Sequence, residues 1–178
     1  MRRCHWVNDD PLYIAYHDNE WGKHTTETQQ LFEALTLELM QSGLSFLTVL
    51  KKRAAFQTTF FCYDLVKLSQ ADTNDIELWL TDPTIIRHKK KLEAVSQNAE
   101  AVLQIEQTEK FYTYLTNHIE SHLTEHSQNA QTLTIDICKK IVKTMKQDGF
   151  KFIGPTTLYS FFQATGFIND HDVTCDFK

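Results

Sequence analysis

The chain has 178 residues, of which 42% are hydrophobic, and its 18 basic and 23 acidic residues give a net charge of −5. The 12 Phe, 6 Tyr and 3 Trp exclude a disordered chain, and no apolar run is long enough for a membrane helix. The N-terminus has no signal-peptide pattern, so we expect one cytoplasmic domain without a membrane partner.

The predicted elements are helices, because only five Gly and three Pro interrupt the chain. The first clear helix is predicted from about Glu27 to Ser42, with Gly43 just after its end. Its apolar stripe contains Glu38, which places a carboxylate on the face that packs against the core. This position is unusual for a structural helix and marks Glu38 as a candidate functional residue.

The rest of the chain repeats the helical spacing. A second helix is predicted to begin at Ser45, and others are predicted over 75–80, 88–105, 135–145 and 156–165. The polar stretch 120–134 is predicted as a loop or surface insertion. Six or seven helices and no convincing strand predict an all-α fold.

Two cysteines and two histidines near the chain ends form a candidate metal site: Cys4, His17, His171 and Cys175. Two thiolates and two imidazoles suit tetrahedral Zn²⁺, and the spacing of four between the last two ligands fits a single helical turn. The alternative is two unrelated surface histidines and two incidental thiols, and spacing alone leaves both open. The other two cysteines, Cys62 and Cys138, are predicted to be small buried side chains.

A second histidine series lies at His118, His122 and His126. The spacing of four would align them on one helix face, but polar neighbours surround them and no Cys completes a site. A solvated helix face is the favoured interpretation.

Four aromatic residues crowd the N-terminal stretch: Trp6, Tyr13, Tyr16 and Trp21. Together with Glu38 they would suit a flat, electron-poor or cationic ligand such as a damaged base. The alternative is that the aromatic residues belong to the core and that Glu38 is paired.

Basic residues follow Pro83 between two predicted helices, an arrangement that suits docking to DNA phosphates. The cations concerned are Arg87, Lys89, Lys90 and Lys91. A solvated charged face explains them equally well, and the negative net charge does not decide, because association depends on the local potential.

Longer motifs carry a family resemblance. Residues 4–22, CHWVNDDPLYIAYHDNEWG, resemble the opening of the 3-methyladenine DNA glycosylase I family, and so do 41–45, 49–53, 85–88, 149–157 and 169–171. The resemblance spans nearly the whole chain and is weakest over about 108–134.

The resemblance implies a helix-hairpin-helix DNA glycosylase domain over 1–178. Within it, residues 1–25 and about 150–178 would form a small lobe with a structural zinc ion. The same four residues are implied as ligands: Cys4, His17, His171 and Cys175. Glu38 and Tyr16 would contact the flipped base, inside aromatic walls that include Trp6, Tyr13, Trp21 and Phe46.

The implied activity is hydrolysis of the N-glycosidic bond of 3-methyladenine in alkylated double-stranded DNA by a monomer, which leaves an abasic site. Leu44 is our candidate for a wedge that fills the vacated stack. The alternative is a zinc-stabilised module that binds alkylated DNA without cutting, and a zinc-stabilised protein-interaction domain is a more distant third.

Two departures from the family pattern are visible. Phe46 stands where familiar members have Trp, which reduces the stacking area and removes an indole N–H. Thr84 and Lys90 stand where hairpin glycines are expected, so the hairpin geometry is open to question.

Overall fold

The computed structural model describes residues 1–124 and 133–178, and all regular elements in these ranges are helical. They are α1 (Pro11–Asn19), α2 (Thr28–Gln41), α3 (Phe46–Leu50), α4 (Arg53–Thr59), a short 3₁₀ turn (Phe61–Tyr63), α5 (Leu65–Ser69), α6 (Thr73–Thr81), α7 (Lys89–Ile105), α8 (Phe111–Thr124), α9 (Ile135–Gln147) and α10 (Pro155–Ala164). This confirms the all-α prediction. Within the same ranges, no helix combines the length and hydrophobicity needed to cross a bilayer.

Helix α2 forms the centre of the core and contacts α3, α7, α8 and α10. Leu31, Phe32, Leu35 and Leu39 are almost fully buried along it, as the apolar stripe predicts. Its bounds agree with the prediction to within a residue, and Gly43 follows in the left-handed region at φ +78°. The helix therefore presents Glu38 from a rigid element.

The described ranges contain more helices than the six or seven predicted. Helix α1 begins at Pro11 after Asp10, whose side chain accepts a hydrogen bond from the Leu12 amide. Its aromatic and polar residues are spread around the helix, so no apolar stripe predicts this helix from the sequence. The predicted loop over 120–134 is wrong at its start, because α8 continues to Thr124. His126 lies outside the described residues.

The remaining histidines and cysteines of the sequence analysis lie away from the chain ends. His118 is half-buried, with its ring 4.4 Å from that of Tyr114, and it joins no metal-binding cluster among the described residues. Cys138 is buried as predicted. The prediction for Cys62 is wrong: it is exposed, at φ +53° in a left-handed turn that directs its neighbour Tyr63 into the core.

The connection between α6 and α7 is held by side chains. Asp82 accepts a hydrogen bond from the Thr84 amide at 2.8 Å, and Lys52 Nζ donates to the Pro83 and Thr84 carbonyls at 3.1 and 2.8 Å. Among the described residues, positive φ outside glycine occurs only at 61–63 and 152. Thr84 and Lys90 therefore adopt ordinary backbone angles, and the hairpin does not need glycine at either position.

The two chain ends pair with each other. The Arg2 amide donates to Asp176 Oδ2 at 2.8 Å, the Asp176 amide donates to the Arg2 carbonyl at 2.9 Å, and the His5 amide donates to Asp172 Oδ2 at 2.6 Å. The segment from His171 to Cys175 is a turn, closed by a Cys175 N–H to Asp172 O bond of 2.9 Å. The expected helical turn is therefore wrong in form, although the turn still brings both ligands together.

Candidate active site and metal centre

Four buried side chains meet where the chain ends pair. One ligand atom from each of Cys4, His17, His171 and Cys175 lies within 4.8 Å of the other three. His171 Nδ1 lies 3.4 Å from both sulfur atoms, and Cys175 Sγ lies 3.5 Å from His17 Nε2. The structure thus brings together all four residues that the sequence singled out, and they can hold a metal ion.

Three of the distances between donor atoms, 3.4, 3.4 and 3.5 Å, fit a tetrahedral ion. Bonds of the usual Zn–S and Zn–N lengths place tetrahedral donors about 3.3–3.8 Å apart. Burial raises the pKa of the Cys4 thiol to about 11, so this sulfur ionises readily only beside a compensating cation. A buried group of two thiols and two imidazoles at this spacing is therefore better suited to a cation than to a purely apolar contact.

Polar groups behind the ligands set their orientation. His17 Nδ1 lies 2.8 Å from Asp18 Oδ1, which directs Nε2 towards the other ligands. Asp18 in turn accepts three hydrogen bonds from Arg3, between 2.7 and 3.0 Å, and these lower the pKa of its carboxyl. On the other side, the Asp172 amide donates to Cys4 Sγ at 3.3 Å. Sequence reasoning missed Arg3 and Asp18, although an acid directly after a candidate ligand was an available signal.

The N-terminal aromatic residues converge beside this centre. The ring of Trp6 lies 5.1 Å from Tyr13 and 5.0 Å from Trp21, and Tyr16 lies 4.9 Å from Phe46. They enclose a cavity of about 370 Å³, lined by His5, Trp6, Tyr13, Tyr16, Trp21, Glu38, Gln41, Phe46, Ser160, Gln163, Asp170 and Asp172. This volume accommodates a single planar heterocycle, and we call it the aromatic pocket.

The metal-binding cluster supports one wall of the aromatic pocket. The Trp21 ring packs edge-on against the His171 imidazole, with centroids 4.6 Å apart, and is stacked nearly parallel to the His17 imidazole at 6.1 Å. Ordering of the chain ends therefore also orders this wall.

Glu38 lies in the aromatic pocket without a cationic partner among the described residues. The residue is 6% exposed, and its Oε2 atom has no hydrogen-bond partner. Burial raises its pKa to about 8. Arg53, which lines a neighbouring cavity together with Glu38, pairs instead with Glu20 and Glu33. Among the described residues, the buried ion pair considered from sequence is therefore not formed, and an unsatisfied acceptor faces a ligand-sized cavity.

Two further cavities adjoin Glu38. One, of about 360 Å³, shares Tyr16, Glu38 and Phe46 with the aromatic pocket and also contains the Arg53 network. The other, of about 300 Å³, runs from Glu38 along the turn at Gly43 and Leu44. Glu38 therefore stands where three cavities meet.

The residues predicted to contact DNA differ in placement. Leu44 is 42% exposed, directly after Gly43. Arg87, Lys89 and Lys90 are exposed, and Lys89 pairs with Glu77 at 2.7 Å. Lys91 departs from the prediction: it is buried, and its ammonium donates to backbone carbonyls at the C-terminal end of α2 rather than facing solvent.

Fold and site define an all-helical protein with an aromatic pocket around a buried carboxylate and a Cys/His cluster that can hold a metal ion. The chain belongs to the methyladenine glycosylase family, whose model matches residues 6–178. This confirms the resemblance seen in the motifs.

Named relatives cover nearly the whole chain. The DNA-3-methyladenine glycosylase 1 of Escherichia coli (strain K12) is 44% identical, covering 98% of this chain and 96% of the relative. The DNA-3-methyladenine glycosylase of Haemophilus influenzae is 38% identical, covering 99% of this chain and 97% of the relative. The solved structure of the Staphylococcus aureus 3-methyladenine DNA glycosylase I superposes with a TM-score of 0.87 at 34% identity and covers 100% of this chain and 97% of that one. That structure describes the structural basis of 3-methyladenine recognition by the S. aureus enzyme.

Proposed function

We propose that the chain is a DNA-3-methyladenine glycosylase, which hydrolyses the N-glycosidic bond of 3-methyladenine in alkylated duplex DNA and leaves an abasic site. The observation that carries the proposal is the unpartnered Glu38 oxygen in the aromatic pocket of a methyladenine glycosylase family member. A neutral apolar ligand would leave this oxygen unsatisfied, whereas a cationic base satisfies both its charge and its hydrogen-bonding capacity.

The chemistry follows from the substrate. A base within a duplex is out of reach, so the nucleotide must be flipped out, and a damaged base costs less to unpair. Methylation at N3 makes the base cationic and a good leaving group, so the protein does not need to protonate it. Glu38 accepts hydrogen bonds from the base edge, and the rings of Trp6, Tyr13 and Phe46 stack on the cation. Burial raises the pKa of Tyr16 well above its ordinary value, so its hydroxyl stays protonated and can donate a hydrogen bond to the base.

On the DNA side, we assign the α6–α7 hairpin to phosphate contacts through Arg87, Lys89 and Lys90, which are exposed beside one another. Leu44, on the turn after α2, is the candidate wedge. The groove between Leu44 and Glu38 would admit the extruded nucleotide.

The Leu44→Ala variant tests the wedge. We expect single-turnover excision from duplex DNA to fall roughly tenfold, the scale of one buried leucine side chain, because the vacated stack is no longer filled. Binding of free 3-methyladenine should not change, since Leu44 does not line the aromatic pocket. Unchanged DNA binding together with unchanged excision would remove Leu44 from the mechanism.

The Phe46→Trp variant tests the stacking wall. The larger indole has room, because Phe46 borders two cavities, and it adds stacking area over the base. We expect kcat/KM for 3-methyladenine to rise about two- to tenfold, as for one added aromatic contact. Phe46→Leu, which removes the aromatic face, should lower it. If all three proteins gave the same kcat/KM, Phe46 would not be a stacking residue.

We further propose that the cluster of Cys4, His17, His171 and Cys175 holds structural Zn²⁺. Its donor set and spacing support this metal. The bound ion would fix residues 1–25 and about 150–178 as a small lobe beside the helical body and thereby steady Trp21. We place the enzyme in the cytoplasm, as a monomer acting on the cell's DNA.

The function is tested by chromatography of the bases released from methylated duplex DNA, with unmethylated DNA as the control. Release of 3-methyladenine alone is the expected result. Release of several alkylated bases would retain the enzyme class and point to Phe46 as the cause of wider selectivity. No release by folded, zinc-loaded protein that still binds the DNA would favour a non-catalytic lesion sensor.

A further inference from the structure

Lys91 is a buried cation whose donors are used inside the protein. The residue is 4% exposed, and Nζ donates to the Met40 carbonyl at 2.9 Å and to the Ser42 carbonyl at 2.7 Å. The Phe152 ring covers the ammonium at 5.9 Å. Burial of an ammonium is costly unless it is well partnered, so these contacts have a structural purpose beyond solvation.

The two carbonyls lie where α2 ends. The last carbonyls of a helix lack intrahelical partners and form the negative end of its dipole, which a lysine stabilises. Ser42 is the C-terminal capping residue, Gly43 turns the chain at φ +78°, and the Leu44 amide bonds back to the Gln41 carbonyl at 2.6 Å. The orientation of the Ser42 peptide therefore sets where Leu44 points.

The backbone of Lys91 belongs to the α6–α7 hairpin, which is the part of the proposed DNA surface assigned to phosphate contacts. It lies in the first turn of α7, and its amide bonds to the side chain of His88, the N-capping residue, at 3.4 Å. The cations immediately before it, Lys89 and Lys90, are exposed. The Lys91 side chain thus connects the hairpin between α6 and α7 to the turn that carries Leu44. This turn directly follows α2, the helix that presents Glu38.

We propose that Lys91 is a positioning residue for base flipping, which fixes the turn 42–44 relative to the hairpin so that phosphate binding places the Leu44 wedge. The inference rests on the proposed glycosylase function. It assigns Lys91 no contact with DNA or base. Lys91 acts through the Ser42 carbonyl on Leu44, and the effect of its loss should therefore depend on Leu44.

The test compares Lys91→Met with its exposed neighbour, Lys90→Met. Both remove one ammonium and keep an unbranched side chain that is one heavy atom shorter. Lys91→Met should lower single-turnover excision from duplex DNA about tenfold or more, as expected for hydrogen bonds to a charged group. Its affinity for free 3-methyladenine and its salt dependence of DNA binding should equal those of wild type. Lys90→Met should instead reduce the slope of log K against log salt by about one, as expected for the loss of one phosphate contact.

A double-mutant cycle with Leu44→Ala measures the coupling. In the Leu44→Ala background, Lys91→Met should cost much less than in wild type. Additive effects of the two substitutions would overturn the proposal. So would a reduced salt slope in Lys91→Met, or a loss of affinity for free 3-methyladenine as large as its loss of excision. If Lys91→Met does not fold, Lys91→Gln, which retains a donor, is put through the same cycle and judged by the same criteria. Failure of the function itself is distinct, because wild type would then release no 3-methyladenine.

Discussion

The Glu38→Gln variant is expected to lose excision of 3-methyladenine by about 10- to 100-fold, which corresponds to one or two hydrogen bonds to a charged group. The amide keeps the shape of the side chain but removes the negative charge that matches the cationic base. Its melting temperature should equal or exceed that of wild type, because Oε2 of Glu38 has no partner to lose. Single-turnover kinetics and thermal melts on the same preparations measure both quantities.

The pH dependence of stability tests the same carboxyl independently. Burial raises the pKa of Glu38 from 4.5 to about 8, so the folded protein binds this proton more tightly than the unfolded chain between those values. The stability due to this proton is complete below about pH 4.5 and is lost as the pH rises towards about 8. As the pH rises across this window, the free energy of unfolding of Glu38→Gln should therefore increase relative to that of wild type. The contributions of other titrating groups cancel in this difference.

Glu27→Gln is the matched control. Glu27 is exposed at the N-terminus of the same helix, and the substitution makes the same chemical change. It should leave excision unchanged and alter stability by only a few tenths of a kcal/mol. A large loss of stability in Glu38→Gln, with excision reduced only in proportion to the folded fraction, would make Glu38 a structural residue.

Removal of one metal ligand should have the largest effect on stability. In Cys175→Ser we expect bound zinc to fall from about one ion per chain towards zero, because a thiolate ligand is lost. The melting temperature should fall by about 10 °C or more, since a metal ion bound by the cluster would contribute folding free energy and would hold both chain ends. Elemental analysis and thermal melts check the two effects, and a chelator should bring wild type towards the same melting temperature.

Cys62→Ser controls for the loss of a thiol as such. Cys62 is exposed and lies outside the cluster, so zinc content and melting temperature should stay close to those of wild type. Equal zinc content in Cys175→Ser and wild type would contradict the assignment of the metal centre.

The most informative sequence signals were residues whose chemistry did not suit their position. Glu38 stood out because a carboxylate interrupted an apolar stripe, and the structure places it in the aromatic pocket. The four Cys and His residues were visible as a donor set, although no local pattern joins positions about 150 residues apart. The family motifs joined them, and the pairing of the chain ends explains why they meet.

Other features depend on packing that sequence does not display. Lys91 belongs to a basic run, which normally indicates a solvated face, and only the end of α2 makes burial favourable. The ion pair of Arg3 with Asp18 joins residues 15 apart, a contact that no local spacing rule displays. Helix α1 carries no apolar stripe, because its residues face the aromatic pocket and the Cys/His cluster as well as solvent. Helix α5, with five residues, is too short to show a period.

The central claim is that Glu38 and the aromatic pocket recognise an alkylated base. It is tested most directly by calorimetric titration of the zinc-loaded protein with free 3-methyladenine and with adenine, in wild type and Glu38→Gln. We predict that wild type binds 3-methyladenine at least tenfold more tightly than adenine, and that Glu38→Gln loses most of this preference, because the base edge then loses its hydrogen bonds to the carboxyl. Equal affinity for the two bases in wild type, or a preference that survives in Glu38→Gln, would contradict the account.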